Sequence, residues 1–107
     1  MAREVKLSIP HELGAEEAKR RIHDGLEALR AEYGTHFSTA DIVWSDTNAD
    51  VKIAAFGQSL TTAIDVADRR VDVTLLLPVL LAGFAERARN FLEAKGSDML
   101  RLPPGSS

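Results

Sequence analysis

The sequence predicts a two-layer α+β fold, in which five antiparallel strands form a sheet and both helices cover one face. Three observations support this prediction. Apolar and polar residues alternate in five short segments, which is typical of half-buried strands. Two longer segments repeat apolar residues every three or four positions, as amphipathic helices do. The last four strands are joined by short turns, which demand antiparallel pairing. The predicted order is therefore β-α-β-β-β-β-α.

The first strand is predicted over residues 4–9. Three apolar side chains alternate there with polar ones, namely Val5, Leu7 and Ile9. Pro10 should end the strand, because it has no N–H to donate to a neighbouring strand.

A helix is predicted over residues 15–33, with Gly14 as its N-cap and Gly34 as its C-terminal stop. Its apolar stripe consists of Ala18, Ile22, Leu26, Leu29 and Tyr33. Acidic residues in the first turn suit the helix dipole. They also predict two ion pairs between residues four apart, Glu16–Arg20 and Glu17–Arg21.

Four further strands are predicted over residues 40–45, 49–56, 60–66 and 71–77. Turn-forming residues separate them at 46–48, 57–59 and 68–69. Within these strands the larger apolar side chains recur at every second position, so each strand should have one buried face.

A long second helix is predicted over residues 79–95, because Pro78 suits a first helical turn and Gly96 should stop the helix. Its apolar face comprises Leu81, Phe84, Ala85, Ala88, Phe91 and Leu92. The sequence thus predicts a single domain over residues 1–97, followed by a flexible C-terminal tail over residues 98–107.

Composition excludes several classes of chemistry. The chain has no cysteine, which removes disulfides, thiolate catalysis and cysteine-ligated metals. The net charge of −3 argues against nucleic acid as a partner. The apolar runs are shorter than a membrane span, and the N-terminus lacks the apolar region of a signal peptide. We therefore expect a cytoplasmic protein without a membrane span.

The titratable residues do not form a recognisable catalytic or metal-binding motif. The three histidines, His11, His23 and His36, are not at metal-ligand spacing. We expect His11 to form local hydrogen bonds at the corner between the first strand and the first helix. The sequence predicts no enzyme, no metal and no cofactor.

Several motifs resemble the polyhydroxyalkanoic acid system family. They are IPHELGAEEAKRRI at residues 9–22, Trp44, FGQSL at residues 56–60, Ile64-Asp65-Val66, and LPVLL at residues 77–81. These small bacterial proteins are associated with polyhydroxyalkanoate granule gene regions. In this family a glycine would be expected near Thr61 or Thr62, and this sequence has none there.

The resemblance implies an accessory role in polyester storage and supplies no catalytic residues to transfer. The order of elements is also similar to a reduced version of the helix-grip fold of Bet v 1-like proteins. Our leading hypothesis is a non-enzymatic accessory protein that binds a protein partner or the granule surface, and a homodimer is compatible with it. The candidate interface residues are Leu76, Val79 and Leu80.

The alternative hypothesis is a carrier of a small apolar ligand, such as an acyl chain. Its cavity would lie between the C-terminal helix and the sheet. The side chains expected to line that cavity are Trp44, Leu81, Phe84 and Phe91. The same side chains could equally be ordinary core residues.

Overall fold

A computed structural model describes residues 3–34, 39–55 and 57–100 of the 107-residue chain, without the side chains of Tyr33, Thr39 and Ala55. The described residues form β1 (Arg3–Pro10), α1 (Ala15–Tyr33), β2 (Thr39–Ser45), β3 (Asn48–Ala55), β4 (Gln58–Val66), β5 (Arg70–Leu77), a 3₁₀ helix (Val79–Phe84) and α2 (Ala85–Leu100). The predicted α+β class and the β-α-β-β-β-β-α order are confirmed.

The described strands form one antiparallel sheet in the order β1-β5-β4-β3-β2. Strands β2 to β5 are neighbours in sequence and pair through short turns. The first strand, β1, pairs with β5 at one edge of this series, and the apolar side chains of the two strands lie opposite each other. Its register places Val5 opposite Leu75 and Leu7 opposite Val73.

Both helices lie on one face of the sheet, and this prediction is confirmed. The main core cluster joins inward-facing residues of β1, β3, β4 and β5 to Ala18 and Ile22 of α1 and to Leu100 of α2. A second cluster contains Val5, Leu75, Leu77 and Ala85. The alternation of buried and exposed positions along β1 and β5 follows the period of a strand.

Helix α1 begins and ends at the predicted residues. Gly14 is its N-cap with φ = 80°, a conformation that favours glycine. One of the two predicted ion pairs is present, between Glu17 Oε2 and Arg21 Nε at 2.7 Å. The other is not as predicted, because Arg20 contacts Glu17 at 2.5 Å instead of pairing with Glu16. The carboxylate of Glu17 therefore contacts the guanidinium groups of both Arg20 and Arg21.

The second helical segment differs from the prediction in two ways. Residues 79–84 form a 3₁₀ helix, and the α-helix begins only at Ala85. It also does not stop at Gly96. Gly96 is buried inside α2, where a Cβ atom would overlap Cδ1 of Ile9. The glycine is needed for close packing of α2 on β1, and it does not terminate the helix.

This continuation changes the predicted C-terminal tail. Residues 98–100 of the expected tail belong to α2, and Leu100 is buried in the core. Residues 101–107 lie outside the described part of the chain.

One end of the sheet is fixed by hydrogen bonds between segments that are distant in sequence. His11 N–H donates to Arg69 O, and Val66 N–H donates to Thr47 O, both at 2.9 Å. Ala15 N–H, at the start of α1, lies 3.3 Å from a carboxylate oxygen of Asp68. The β1–α1 corner, the β2–β3 turn and the β4–β5 turn therefore meet at the same end.

Candidate functional site

An apolar cavity of about 250 Å³ lies between the two helices and strands β2, β3 and β4. It is bordered by the C-terminal half of α1 and by the middle of α2. The lining residues are Leu26, Leu29, Arg30, Ala40, Ile42, Val51, Ile53, Thr62, Ile64, Phe91 and Leu92. Nine of these eleven side chains are hydrocarbon, so the cavity suits an apolar group.

The close approach between the two helices occurs beside this cavity and not across it. Gly25 of α1 has no side chain at the point where Met99 of α2 packs against it. The segments that line the cavity are displaced from this contact. The segment around Leu29 lies C-terminal to it in α1, and the segment around Phe91 lies N-terminal to it in α2. The helices therefore contact each other on one side of the cavity and leave space on the other.

Two polar side chains interrupt the apolar lining. Thr62 of β4 is 8% exposed and is one of the two buried polar or charged residues among those described. The fully buried side-chain atom without a hydrogen-bond partner among the described residues is Trp44 Nε1, and not the hydroxyl of Thr62. Arg30 of α1 is exposed, so it marks a point where the cavity meets solvent. Its guanidinium Nη1 is 3.7 Å from Glu27 Oε2, which is a long and solvent-exposed contact.

The structure does not bring the four predicted lining residues together. Phe91 lines the cavity. Leu81 packs on the second core cluster, and Phe84 is 50% exposed. Trp44 packs against the main core cluster beside α1, where Lys19 Nζ lies 5.5 Å from the centre of its ring. The cavity thus involves α1 and β2–β4 more than the C-terminal helix alone.

Sequence reasoning missed Thr62 and Arg30. A signal for Thr62 was available, because it is the polar member of an otherwise apolar inward row in β4. The glycine that the family resemblance would place near Thr61 or Thr62 is absent, and β4 runs through both residues without a break. Arg30 carried no signal, because a charged residue near the end of an amphipathic helix is ordinary.

A second feature is the exposed apolar segment, which we define as Val79, Leu80, Phe84 and Phe91. Val79 is 63% exposed and Leu80 is 72% exposed. Phe84 and Phe91 are seven residues apart, about two helical turns, and therefore lie on a similar side. Arg87 lies 6.0 Å from the Phe84 ring centre, and Lys95 lies 5.7 Å from that of Phe91. The segment is apolar with cationic borders.

The third predicted interface residue, Leu76, lies on the opposite sheet face. It is exposed, but its direct cross-strand neighbours on β1 and β4 are Glu4 and Thr61. Among the described residues, the other large apolar side chain exposed on this face is Val43, and it belongs to a different cross-strand row. Leu76 and Val43 therefore do not form a continuous apolar patch.

His11 has the local role that the sequence predicts. Leu13 N–H donates to Nδ1 at 3.1 Å, and Nε2 lies 2.9 Å from Ala67 O. A ring whose Nδ1 accepts a hydrogen bond carries its proton on Nε2, which then donates to the Ala67 carbonyl. The imidazole therefore joins the β1–α1 corner to the β4–β5 turn.

The resolved pKa shifts of carboxyl groups have surface causes and do not identify a reaction site. The pKa of Glu17 falls from its usual 4.5 to about 2, first because of the hydrogen bond from Arg20 and then because of Arg21. The pKa of Asp72 is lowered chiefly by the hydroxyl of Ser8, with a smaller effect of Arg70. Neither group lies in the cavity.

The described residues show neither a metal-binding cluster nor a membrane-spanning helix. They contain no cluster of three or more His, Asp or Glu side chains placed to hold a metal ion. None of their helices combines the length and apolar character that crossing a membrane requires.

Comparison with solved structures gives distant similarities. The crystal structure of Ara h 8.0201 is 11% identical and aligns over 94% of this chain and 99% of its own, with a TM-score of 0.39. The crystal structure of Zhui aromatase/cyclase from Streptomyces sp. R1128 is 13% identical and aligns over 92% and 87%, with a TM-score of 0.35. Such values limit the likeness to the general arrangement of the chain.

Comparison with protein families is more specific. A search of the curated proteins finds no match. The family described as "Putative polyhydroxyalkanoic acid system protein (PHA_gran_rgn)" matches residues 5–100. This range includes both helices and every described strand, except residues 3 and 4 at the start of β1. The chain therefore belongs to the polyhydroxyalkanoic acid system family.

Proposed function

We propose that this protein is a non-enzymatic, cytoplasmic accessory protein of bacterial polyhydroxyalkanoate storage that binds the apolar surface of a granule or of a granule-associated protein. The observation that carries this proposal is the exposed apolar segment. Family membership supplies the context of polyester storage.

The exposed apolar segment has the chemistry of a surface-binding element. Four large apolar side chains lie within thirteen residues, and each is about half exposed or more. Large apolar patches on soluble domains commonly mark interaction surfaces. The cations beside Phe84 and Phe91 would remain in water while the rings enter an apolar phase, as snorkelling side chains do. Of the predicted interface residues, Val79 and Leu80 belong to this segment.

Co-sedimentation with purified polyhydroxyalkanoate granules tests the proposal. We expect the wild type to bind and Leu80→Ser and Phe84→Ser each to weaken binding by roughly tenfold, since each removes about 1.5–3 kcal/mol of apolar burial at most. Val43→Ser is the matched control, because Val43 is 63% exposed on the opposite face of the sheet.

The result has three informative outcomes. Loss of binding in the segment variants but not in Val43→Ser supports the proposal. Equal loss in all variants, or no binding by the wild type, contradicts it. Light scattering on the same samples shows whether the segment instead joins two copies of the chain, in which case the segment variants would be monomeric and granule binding would be unaffected.

A second candidate function is a carrier of small apolar ligands, and the cavity favours it. Its volume of about 250 Å³ lies just below the range of ordinary drug-sized ligand sites, so it suits a small ligand. Titration calorimetry with decanoate tests this function. Ala40→Phe places a ring at the cavity wall, and we expect it to abolish binding while the far-UV circular dichroism spectrum stays unchanged. Absence of binding to the wild type would exclude the carrier function without affecting the granule proposal.

A further inference from the structure

We infer that the cavity selects a hydroxyalkanoate: an alkyl chain against the apolar lining, a hydroxyl group on Thr62 and a carboxylate on Arg30. This inference rests on the proposed carrier function and adds the chemical class of its ligand. Its two polar residues, Thr62 and Arg30, lie outside the exposed apolar segment, whereas Phe91 belongs both to that segment and to the cavity lining.

The hydroxyl of Thr62 is the first argument. Thr62 is paired in the sheet with Val51 and Leu75, and its side chain faces the cavity between Val51 and Ile64. Thr62 is 8% exposed as a residue, and its hydroxyl is not among the fully buried side-chain atoms without a partner, which in the described residues means Trp44 Nε1. Because Thr62 lines the cavity, its hydroxyl can donate a hydrogen bond to, or accept one from, a ligand oxygen there.

The guanidinium of Arg30 is the second argument. It lines the same cavity as Thr62 but is exposed to solvent, so an alkyl chain can extend inward from it. Its ion pair with Glu27 is long, and both side chains are about half exposed, so it is easily replaced. A guanidinium offers two parallel N–H groups that match a carboxylate.

The cavity volume limits the length of the chain. An apolar cavity of about 150 Å³ accepts benzene, which has six carbon atoms. At the same packing, about 250 Å³ accepts roughly ten non-hydrogen atoms. The geometry therefore suits a medium-length hydroxyalkanoate monomer, whereas the polymer itself is too large.

Calorimetric titration with three probes tests each group separately. The probes are 3-hydroxydecanoate, decanoate and 1-decanol. Trp44 provides an independent optical readout, because it is the single tryptophan and the next inward residue after Ile42 on β2. Its indole N–H is buried without a partner, so its emission should respond to a change in the neighbouring cavity.

Thr62→Val removes the hydroxyl and keeps a β-branched side chain that suits a strand. We expect it to lower the affinity for 3-hydroxydecanoate about fivefold and to leave the affinity for decanoate unchanged. Arg30→Gln should lower the affinity for both acids about tenfold and leave the affinity for 1-decanol unchanged. Arg89→Gln is the matched control, because Arg89 forms a similar exposed pair with Glu93 at 3.9 Å and does not line the cavity.

The outcomes separate this inference from the carrier function. If the wild type binds decanoate but does not prefer 3-hydroxydecanoate, or if Thr62→Val and Arg30→Gln behave as the wild type does, the inference is overturned and the carrier function stands. If none of the three probes binds, both are overturned. Selective loss in each variant, as described, supports both.

Discussion

The contact between Gly96 and Ile9 predicts a strong energetic coupling between α2 and β1. A methyl group added at Gly96 would overlap Cδ1 of Ile9, whose side chain is 3% exposed and cannot move into solvent. Overpacking of this kind costs about 1–3 kcal/mol. The better helix propensity of alanine returns about 1 kcal/mol. We therefore expect Gly96→Ala to lower the free energy of unfolding by about 1 kcal/mol.

The substitution Ile9→Val removes the overlapping atom. Alone it should lower the free energy of unfolding by about 1 kcal/mol, as loss of one buried methyl group does. In the double variant the remaining Cγ1 lies 3.6 Å from the new methyl, which is ordinary van der Waals contact. We expect the double variant to be close to the wild type in stability, which corresponds to a coupling energy of about 2 kcal/mol.

Urea unfolding followed by far-UV circular dichroism, with linear extrapolation to water, measures all four proteins. Gly83→Ala is the control, because a Cβ there meets no atom within 4 Å. We expect it to keep or raise the stability. The reasoning is refuted if the two single effects add to within about 0.5 kcal/mol in the double variant, or if Gly96→Ala stabilises the protein.

Three further predictions concern other parts of the chain. The lowered pKa of Glu17, caused first by Arg20, means that its ionised form stabilises the fold above pH 4.5 and that this contribution is lost as the pH falls through about 2. In thermal unfolding, Glu17→Gln should therefore have about the same Tm as the wild type at pH 2 and a lower Tm at pH 6. His11→Ala should lower the free energy of unfolding by about 1–3 kcal/mol through its two hydrogen bonds, and ¹⁵N spectra of the wild type should show the proton on Nε2. Leu100→Ala should lower the free energy of unfolding, measured in urea, by about 2–5 kcal/mol, because Leu100 is buried. Substitution of a residue in a frayed tail would leave it unchanged.

Much of the fold could be predicted from the sequence because local patterns determine it. The alternation along β1 and β5 identified the strands and their buried faces, and Gly14 and Gly34 identified the ends of α1. The role of His11 also followed from its position at a corner. These inferences needed only the period of apolar residues and the chemistry of turns.

The remaining features depend on contacts between distant segments. Gly96 has the sequence signature of a helix stop, but in the structure its missing side chain makes room for Ile9. The stripe that contains Phe84 and Phe91 indicated a buried face, yet both rings are about half exposed. The cavity is formed where α1 and α2 leave space over β2–β4, and helical periodicity carries no information about that distance.

The fixed end of the sheet determines how the cavity can change its volume. The hydrogen bonds of His11, Val66 and Ala15 lie at one end, and Ala40 and Arg30 lie toward the other. The packing of Gly96 on Ile9 anchors the C-terminal half of α2 as well. In the carrier that we propose, small displacements of the first turns of α2 would accommodate longer or shorter alkyl chains, while the anchored half would keep its position. Because Phe91 both lines the cavity and belongs to the exposed apolar segment, such displacements would change the exposure of the surface that we propose binds the granule.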